Sequence, residues 1–323
     1  MIDRVIAFDT SVVSENGGDQ IIMKYINPIL LELFRDDFIV HVPTHDKMGR
    51  FAKMYCKEAG YKIICGTNIL SSEIFIRKNW EADPFDLPYL KGSLLLGCGW
   101  KDYRKAVSPF ARMFWNGVLA QDGIHSVRDE YTKKRLHSLG ITNVINTACP
   151  TMWGLTEEFC KEIETKKANN VITTVTNYRM DRADVDKHMF ETLKRNYENV
   201  FVWIQALEDY SYLKELGVLD DVNIIPPGLH NYEKALENPN IEYCGTRLHA
   251  GIECLNHKKR ALIIAKDNRA IEIGNDTGLP VLNQDEIDKL ESRINSDDMI
   301  KISIPQENIE RWKSQFTGGE SRA

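Results

Sequence analysis

The sequence predicts an α/β protein made of two Rossmann-like domains with parallel sheets, and three observations carry that prediction. Short apolar runs alternate with longer amphipathic ones along the whole chain. The runs are nearly continuous rather than alternating with polar residues, as in strands buried on both faces of a parallel sheet. The rhythm pauses over TMWGLTEEFCKEIETKKAN (151–169) and then restarts, and 323 residues exceed what one ordinary core fills.

The first series of expected strands is RVIAFD (4–9), FIVHVP (38–43), YKIICG (61–66), SLLLGCG (93–99), IHSVRD (124–129) and NVINTACP (143–150). Helical patterns at 19–34 and 46–59 separate the earlier members. The second series is 170–176, 199–205, 222–227, 241–245 and 260–266, alternating with helical stretches near 181–197, 207–217, 228–237 and 247–257. This places an N-terminal domain at 1–155 and a C-terminal one at 165–300. A helix follows at 301–316, free to pack on either domain, and then a frayed tail at 317–323.

Composition narrows the function. Hydrophobic residues make up 43% and charged residues 27%, as in a globular protein in water. A net charge of −6 argues against a general nucleic-acid binder. No apolar run approaches the roughly 20 residues of a membrane span, and MIDRVIAFDTSVV lacks the basic start of a signal peptide. Seven scattered cysteines suit reduced thiols, so the expected compartment is the cytoplasm. Peripheral membrane association and oligomerisation stay compatible with the sequence.

Ligands of open parallel sheets collect at the carboxyl ends of the strands, and with two domains the expected site is a cleft between them. After the first strand, Asn16, Gly17, Gly18 and Asp19 predict a tight turn into a helix, with Asp19 as N-cap and glycines that allow φ > 0 or close approach. LLLGCGWKDY puts Gly97 and Gly99 in a strand–loop, without the G-x-G-x-x-G of dinucleotide binders. Arg128 stands at a strand tip with Asp129 opening the next helix.

In CGTRLHAGIECL, Thr246 as N-cap would put Arg247 and His249 in the first helical turn. There the helix dipole favours an anion and lowers a histidine pKa. Leu248, Ile252 and Leu255 would be buried on the other side, and Glu253 could bond His249. Cys244, His249 and Cys254 do not make a metal site: His249 and Cys254 lie on different helix faces, and no CxxC pair supports them. No metal and no cofactor are expected.

Taken together in order, N-G-G-D, the GCG loop, S-V-R-D, A-C-P-T-M-W and T-R-L-H make the chain resemble the polysaccharide pyruvyl transferase family over about residues 5–275. The resemblance implies a GT-B-like architecture and transfer of the pyruvyl group of phosphoenolpyruvate (PEP) to sugar hydroxyls as a ketal, in polysaccharide or cell-envelope glycan biosynthesis. The acceptor would be a sugar, a nucleotide sugar or a lipid-linked glycan.

Carried over by motif, Arg128, Arg247 and His249 would bind PEP, with His249 also the general acid and Asp19 the base. Two arginines from opposite domains would clamp the donor's anionic groups. Asn16, Gly18, Asp19, Gly97 and Gly99 would serve the acceptor or its loops. Two positions depart from the family's pattern: Cys149 stands where an Asp often precedes the proline, and Cys98 breaks the run of glycines. The rival readings are a nucleotide-sugar glycosyltransferase of GT-B type and a non-catalytic α/β binding protein.

Overall fold

A computed structural model describes residues 2–74, 80–104, 106–176 and 182–317. In chain order the elements begin with β1 (Arg4–Asp9), α1 (Gly17–Leu33), β2 (Phe38–Pro43), α2 (Arg50–Glu58) and β3 (Tyr61–Cys65). There follow α3 (Leu87–Leu90), β4 (Ser93–Leu96), α4 (Pro109–Val118), β5 (His125–Val127), α5 (Glu130–Ser138) and β6 (Val144–Asn146). The second half runs α6 (Glu157–Cys160), β7 (Asn170–Thr173), α7 (Ala183–Asn196), β8 (Asn199–Trp203), α8 (Leu207–Leu216), β9 (Asn223–Ile225) and α9 (Leu229–Leu236). It closes with β10 (Ile241–Gly245), α10 (Leu248–Asn256), β11 (Ala261–Ala265), α11 (Asn268–Thr277), β12 (Val281–Asn283), α12 (Leu290–Ile294) and α13 (Gln306–Thr317).

The chain divides into two compact units, neither of them a single stretch of sequence. One holds the residues up to Ser14, Ile22–Trp153 and those from Ile304 on; the other holds Glu15–Ile21 and Gly154–Ser303. The first turn of α1 therefore belongs to the second unit and the rest of that helix to the first.

The sheet of the first unit is fully parallel, in the order β2-β1-β3-β4. β5 and β6 form a parallel pair beside it. The Arg128 amide donates to Cys98 O (3.1 Å), and the Gly97 amide donates to Ser126 Oγ (2.9 Å). Alternate residues of each strand feed opposite faces. Ile6, Phe8, Ile64 and Leu95 enter one core, while Val5, Ala7, Ile63 and Cys65 meet Ile26 and Leu30 of α1 and Phe34 just after it. That second face is completed by α13, whose Trp312 is fully buried and whose Phe316 ring lies 5.2 Å from Phe34. The C-terminal helix thus packs on the first unit. The tail expected at 317–323 falls, beyond Thr317, outside the described residues.

The second sheet is also parallel, ordered β12-β11-β10-β7-β8-β9. The strands expected from sequence form its body; β12 adds an edge of three residues with only the middle one buried, too short a run to announce itself. The connection leaving β7 runs toward β8, and the one leaving β10 runs the other way, to β11. The carboxyl ends of β7 and β10 therefore flank a topological switch point, where open α/β sheets bind ligands. Among the described residues no helix is long and apolar enough to cross a membrane. All seven cysteines are buried and none is in a disulfide.

Candidate functional site

β10 ends at Gly245, and the loop to α10 is pinned by a buried hydroxyl network. Thr246 is not the N-cap: its hydroxyl donates to Thr174 O (3.1 Å) and lies 2.8 Å from the Thr176 hydroxyl. The helix starts one residue later, and Arg247 takes the cap position in extended conformation. Its amide donates to Thr174 Oγ1 and to the Tyr243 hydroxyl, both at 3.1 Å, and the Tyr243 hydroxyl donates back to Arg247 O (2.9 Å).

The Arg247 side chain is as firmly held as its backbone. Nε donates to Val175 O (2.8 Å), and Nη2 donates to both carboxylate oxygens of Asp209 at 2.9 and 3.2 Å. Asp209 is fully buried at the start of α8, where it also accepts from the amides of Gln205 and Ala206. Burial pushes its pKa up, and the Arg247 guanidinium and these bonds oppose that. Asp209 and Tyr243 set the geometry of this arginine, yet neither belongs to a motif.

His249 follows in the first turn of α10, 6% exposed, with Leu248, Ile252 and Leu255 buried as their spacing predicts. Glu253, expected beside it, has Oε1 3.1 Å from His257 Nε2. The other neighbour of His249 comes from the far end of the sequence. A β-carbon on Gly18 would stand 3.5 Å from His249 Nδ1 and 3.2 Å from Asn16 Oδ1.

The turn before α1 differs from expectation in two respects. Asn16, not Asp19, caps the helix: Asn16 Oδ1 accepts from the Gly18 amide (3.0 Å), and Asp19, two residues inside, has a carboxylate that accepts from Asn16 Nδ2 (3.3 Å). Gly17 and Gly18 are helical rather than left-handed, so their role is close approach; a β-carbon on Gly17 would reach the Trp203 ring at 2.7 Å.

These segments line one pocket within the second unit, formed by Asn16, Gly18, Gln205, Arg247, His249 and Lys266, with Arg269 at the start of α11. Its empty space is about 400 Å³ when the part open to solvent is included. The first turns of α10 and α11 both reach it, bringing the positive end of each dipole. Lys266 Nζ sits 2.9 Å from the buried Asp186, and Arg269 is held by Asp267 at 2.5 and 2.8 Å. Each cation is thus oriented by a carboxylate behind it, which leaves a frame suited to a small, highly charged anion.

Arg128 lies in the first unit, with Gly97 and Gly99. It is 1% exposed; Nη2 bonds Asn68 Oδ1 and Nε lies 3.4 Å from Asp129 Oδ2. Nη1 is buried without a hydrogen-bond partner. Asp129 caps α5, as the sequence suggests, accepting from the Thr132 amide at 2.6 Å. Gly99 leaves the space the guanidinium fills, since a β-carbon there would lie 2.4 Å from it. Gly97 has a left-handed φ of 63°, which favours glycine, and packs on Pro150.

The two departures from the family's pattern lie near this arginine. Burial pushes the Cys98 thiol up to about 12 and raises that of Cys149, while the charge of Arg128 draws both back. Both are neutral thiols near neutral pH. Among the described residues no cluster of His, Cys, Asp and Glu could hold a metal ion.

Comparison with known proteins agrees with this architecture. In fold, the chain is similar to UDP-GlcNAc 2-epimerase from Methanocaldococcus jannaschii, with a TM-score of 0.57 at 12% identity over 98% of this chain and 99% of that one. It is also similar to the S. aureus MnaA structure with UDP, with a TM-score of 0.59 at 12% identity over 98% and 97% of the two chains. These likenesses show a fold of GT-B type. No curated protein matches the chain in sequence. The family model for polysaccharide pyruvyl transferase matches residues 16–268, most of the chain and every motif from Asn16 to His249. The chain belongs to the polysaccharide pyruvyl transferase family.

Proposed function

We propose that this transferase moves the pyruvyl group of PEP onto two hydroxyls of a sugar, making a ketal in polysaccharide or cell-envelope glycan biosynthesis. The observation that carries the proposal is the pocket framed by Arg247, His249, Lys266 and Arg269 and by the first turns of two helices. PEP brings a phosphate and a carboxylate, and this frame supplies charge and directed donors for such a ligand. Arg128 is proposed as a further donor-binding arginine, its open Nη1 being the group that would gain a partner.

His249 is the proposed acid. It protonates the PEP methylene, the second carbon becomes oxocarbenium-like, and a sugar hydroxyl adds to it. A second hydroxyl then displaces inorganic phosphate and closes the ketal. Asp19 is the proposed base for the acceptor, acting from the first turn of α1 in the same unit. No cofactor takes part in this scheme.

The acceptor class is a sugar, a nucleotide sugar or a lipid-linked glycan. The test is phosphate release from PEP in the presence of candidate glycans, together with the rise in melting temperature that each donor produces. PEP should stabilise the protein and UDP- or GDP-sugars should not. Turnover of nucleotide sugars with PEP inert would mark a glycosyltransferase instead. Failure of both donors to bind would favour a non-catalytic binding protein.

A further inference from the structure

Gln205 follows β8 and is 2% exposed, yet both ends of its side-chain amide, Oε1 and Nε2, lack a hydrogen-bond partner within the protein. Leaving a buried amide unpaired forfeits its hydration without replacement, so such groups are normally satisfied. This one lines the pocket of Arg247 and His249. It is also fixed in place. Its backbone N–H donates to Asp209 Oδ2 (3.2 Å), the carboxylate that orients Arg247, and its Cγ would lie 3.6 Å from a β-carbon on Gly17.

We infer that the Gln205 amide is a ligand of the phosphate group, gripping it by both ends. The inference rests on the proposed donor in one respect, that the phosphate is the one leaving PEP. A carboxylate offers only acceptors and could satisfy Nε2 alone. A phosphate carrying one proton offers both: P–O⁻ accepts from Nε2–H, and P–OH donates to Oε1. Inorganic phosphate near neutral pH carries such a proton, so the amide complements the departing group. The first turns of α10 and α11, with Lys266 and Arg269, supply the compensating charge around it.

The test is calorimetry on the full chain with two probes, inorganic phosphate and PEP, for wild type, Gln205→Leu and Gln205→Glu. Gln205→Leu should weaken phosphate binding by roughly tenfold or more, the scale of losing hydrogen bonds to a charged group. The melting temperature of the unliganded variant should not fall, because no internal side-chain bond is lost; a purely structural glutamine would lower it and leave affinity alone. Gln205→Glu keeps the shape and adds a like charge, so it should weaken phosphate at least as much, and it decides the matter if the Leu variant does not fold.

Phosphate affinity within twofold of wild type in a folded variant overturns the assignment, as does wild-type protein that gives no phosphate binding. A loss confined to PEP also overturns it, moving the amide to the carboxylate. Wild-type protein that binds phosphate but not PEP sinks the pyruvyl donor while leaving Gln205 as a phosphate ligand.

Discussion

Gly18 lies against the imidazole of His249, close enough that a β-carbon on the glycine would stand 3.5 Å from Nδ1. Two motifs from opposite ends of the family match therefore share one wall of one pocket in the second unit.

If His249 is the acid, His249→Ala should lower turnover by about 10²–10⁴-fold. PEP affinity should change only a few-fold, since other groups carry the charge. Steady-state rates beside calorimetry separate the two; equal losses in both would make His249 a binding residue only.

Arg247→Ala should weaken PEP far more than His249→Ala does, and Arg247→Lys should not restore it, because a point charge cannot replace a fork held by Val175 O and Asp209. Asp209→Asn should lower the melting temperature as well as PEP affinity; removing one member of a buried pair costs about 3–5 kcal/mol. Arg128→Ala should also weaken PEP. Unchanged calorimetric affinity in that variant would confine Arg128 to a packing role beside Gly99 and Asn68.

Gly17→Ala should destabilise the second unit by about 1–3 kcal/mol. The new methyl meets the Trp203 ring, which is stacked on Tyr232 at 4.2 Å and only 5° from parallel, so the indole has little room to give. A lower melting temperature with altered near-ultraviolet dichroism is the expected result.

His125 supplies a pH dependence. Burial lowers its pKa from 6.5 to about 4, although the bond to Ala120 O opposes the shift. The bonds require the neutral ring, since Nε2 donates to Ala120 O (2.9 Å) while Nδ1 accepts from the Leu95 amide (3.3 Å). The unfolded chain therefore binds a proton that the folded chain refuses between those two values, and stability falls as pH drops from about 6.5 to about 4. The loss is about 3 kcal/mol. Urea unfolding of wild type against His125→Gln, which cannot titrate, should show the gap narrowing on acidification.

Much of the fold could be read from sequence because the strands are buried on both faces. RVIAFD, IEYCG and RALIIAK announce themselves as apolar runs wherever they pack. β12 escaped because a three-residue edge buries only Leu282. The motif residues Arg247 and His249 were legible from their place at a helix start. Asp209, Gln205 and Lys266 were not: Gln205 and Lys266 are single polar residues after strands, and Asp209 is one of two acids in a helix's first turn, so their meaning depends on what the tertiary fold brings opposite. The change of unit within α1 leaves no trace either: the helix is continuous, and nothing in GGDQIIMK marks the point where membership shifts.

The interleaving of the two units bears on how the chain is made. The first unit opens the chain, but its core requires Trp312 and Phe316, which are synthesised after the whole second unit. During vectorial synthesis the face formed by Phe34, Ile26 and Ile63 must wait, partly uncovered, while residues 154–303 emerge and fold. The unit begun first is thus the one completed last.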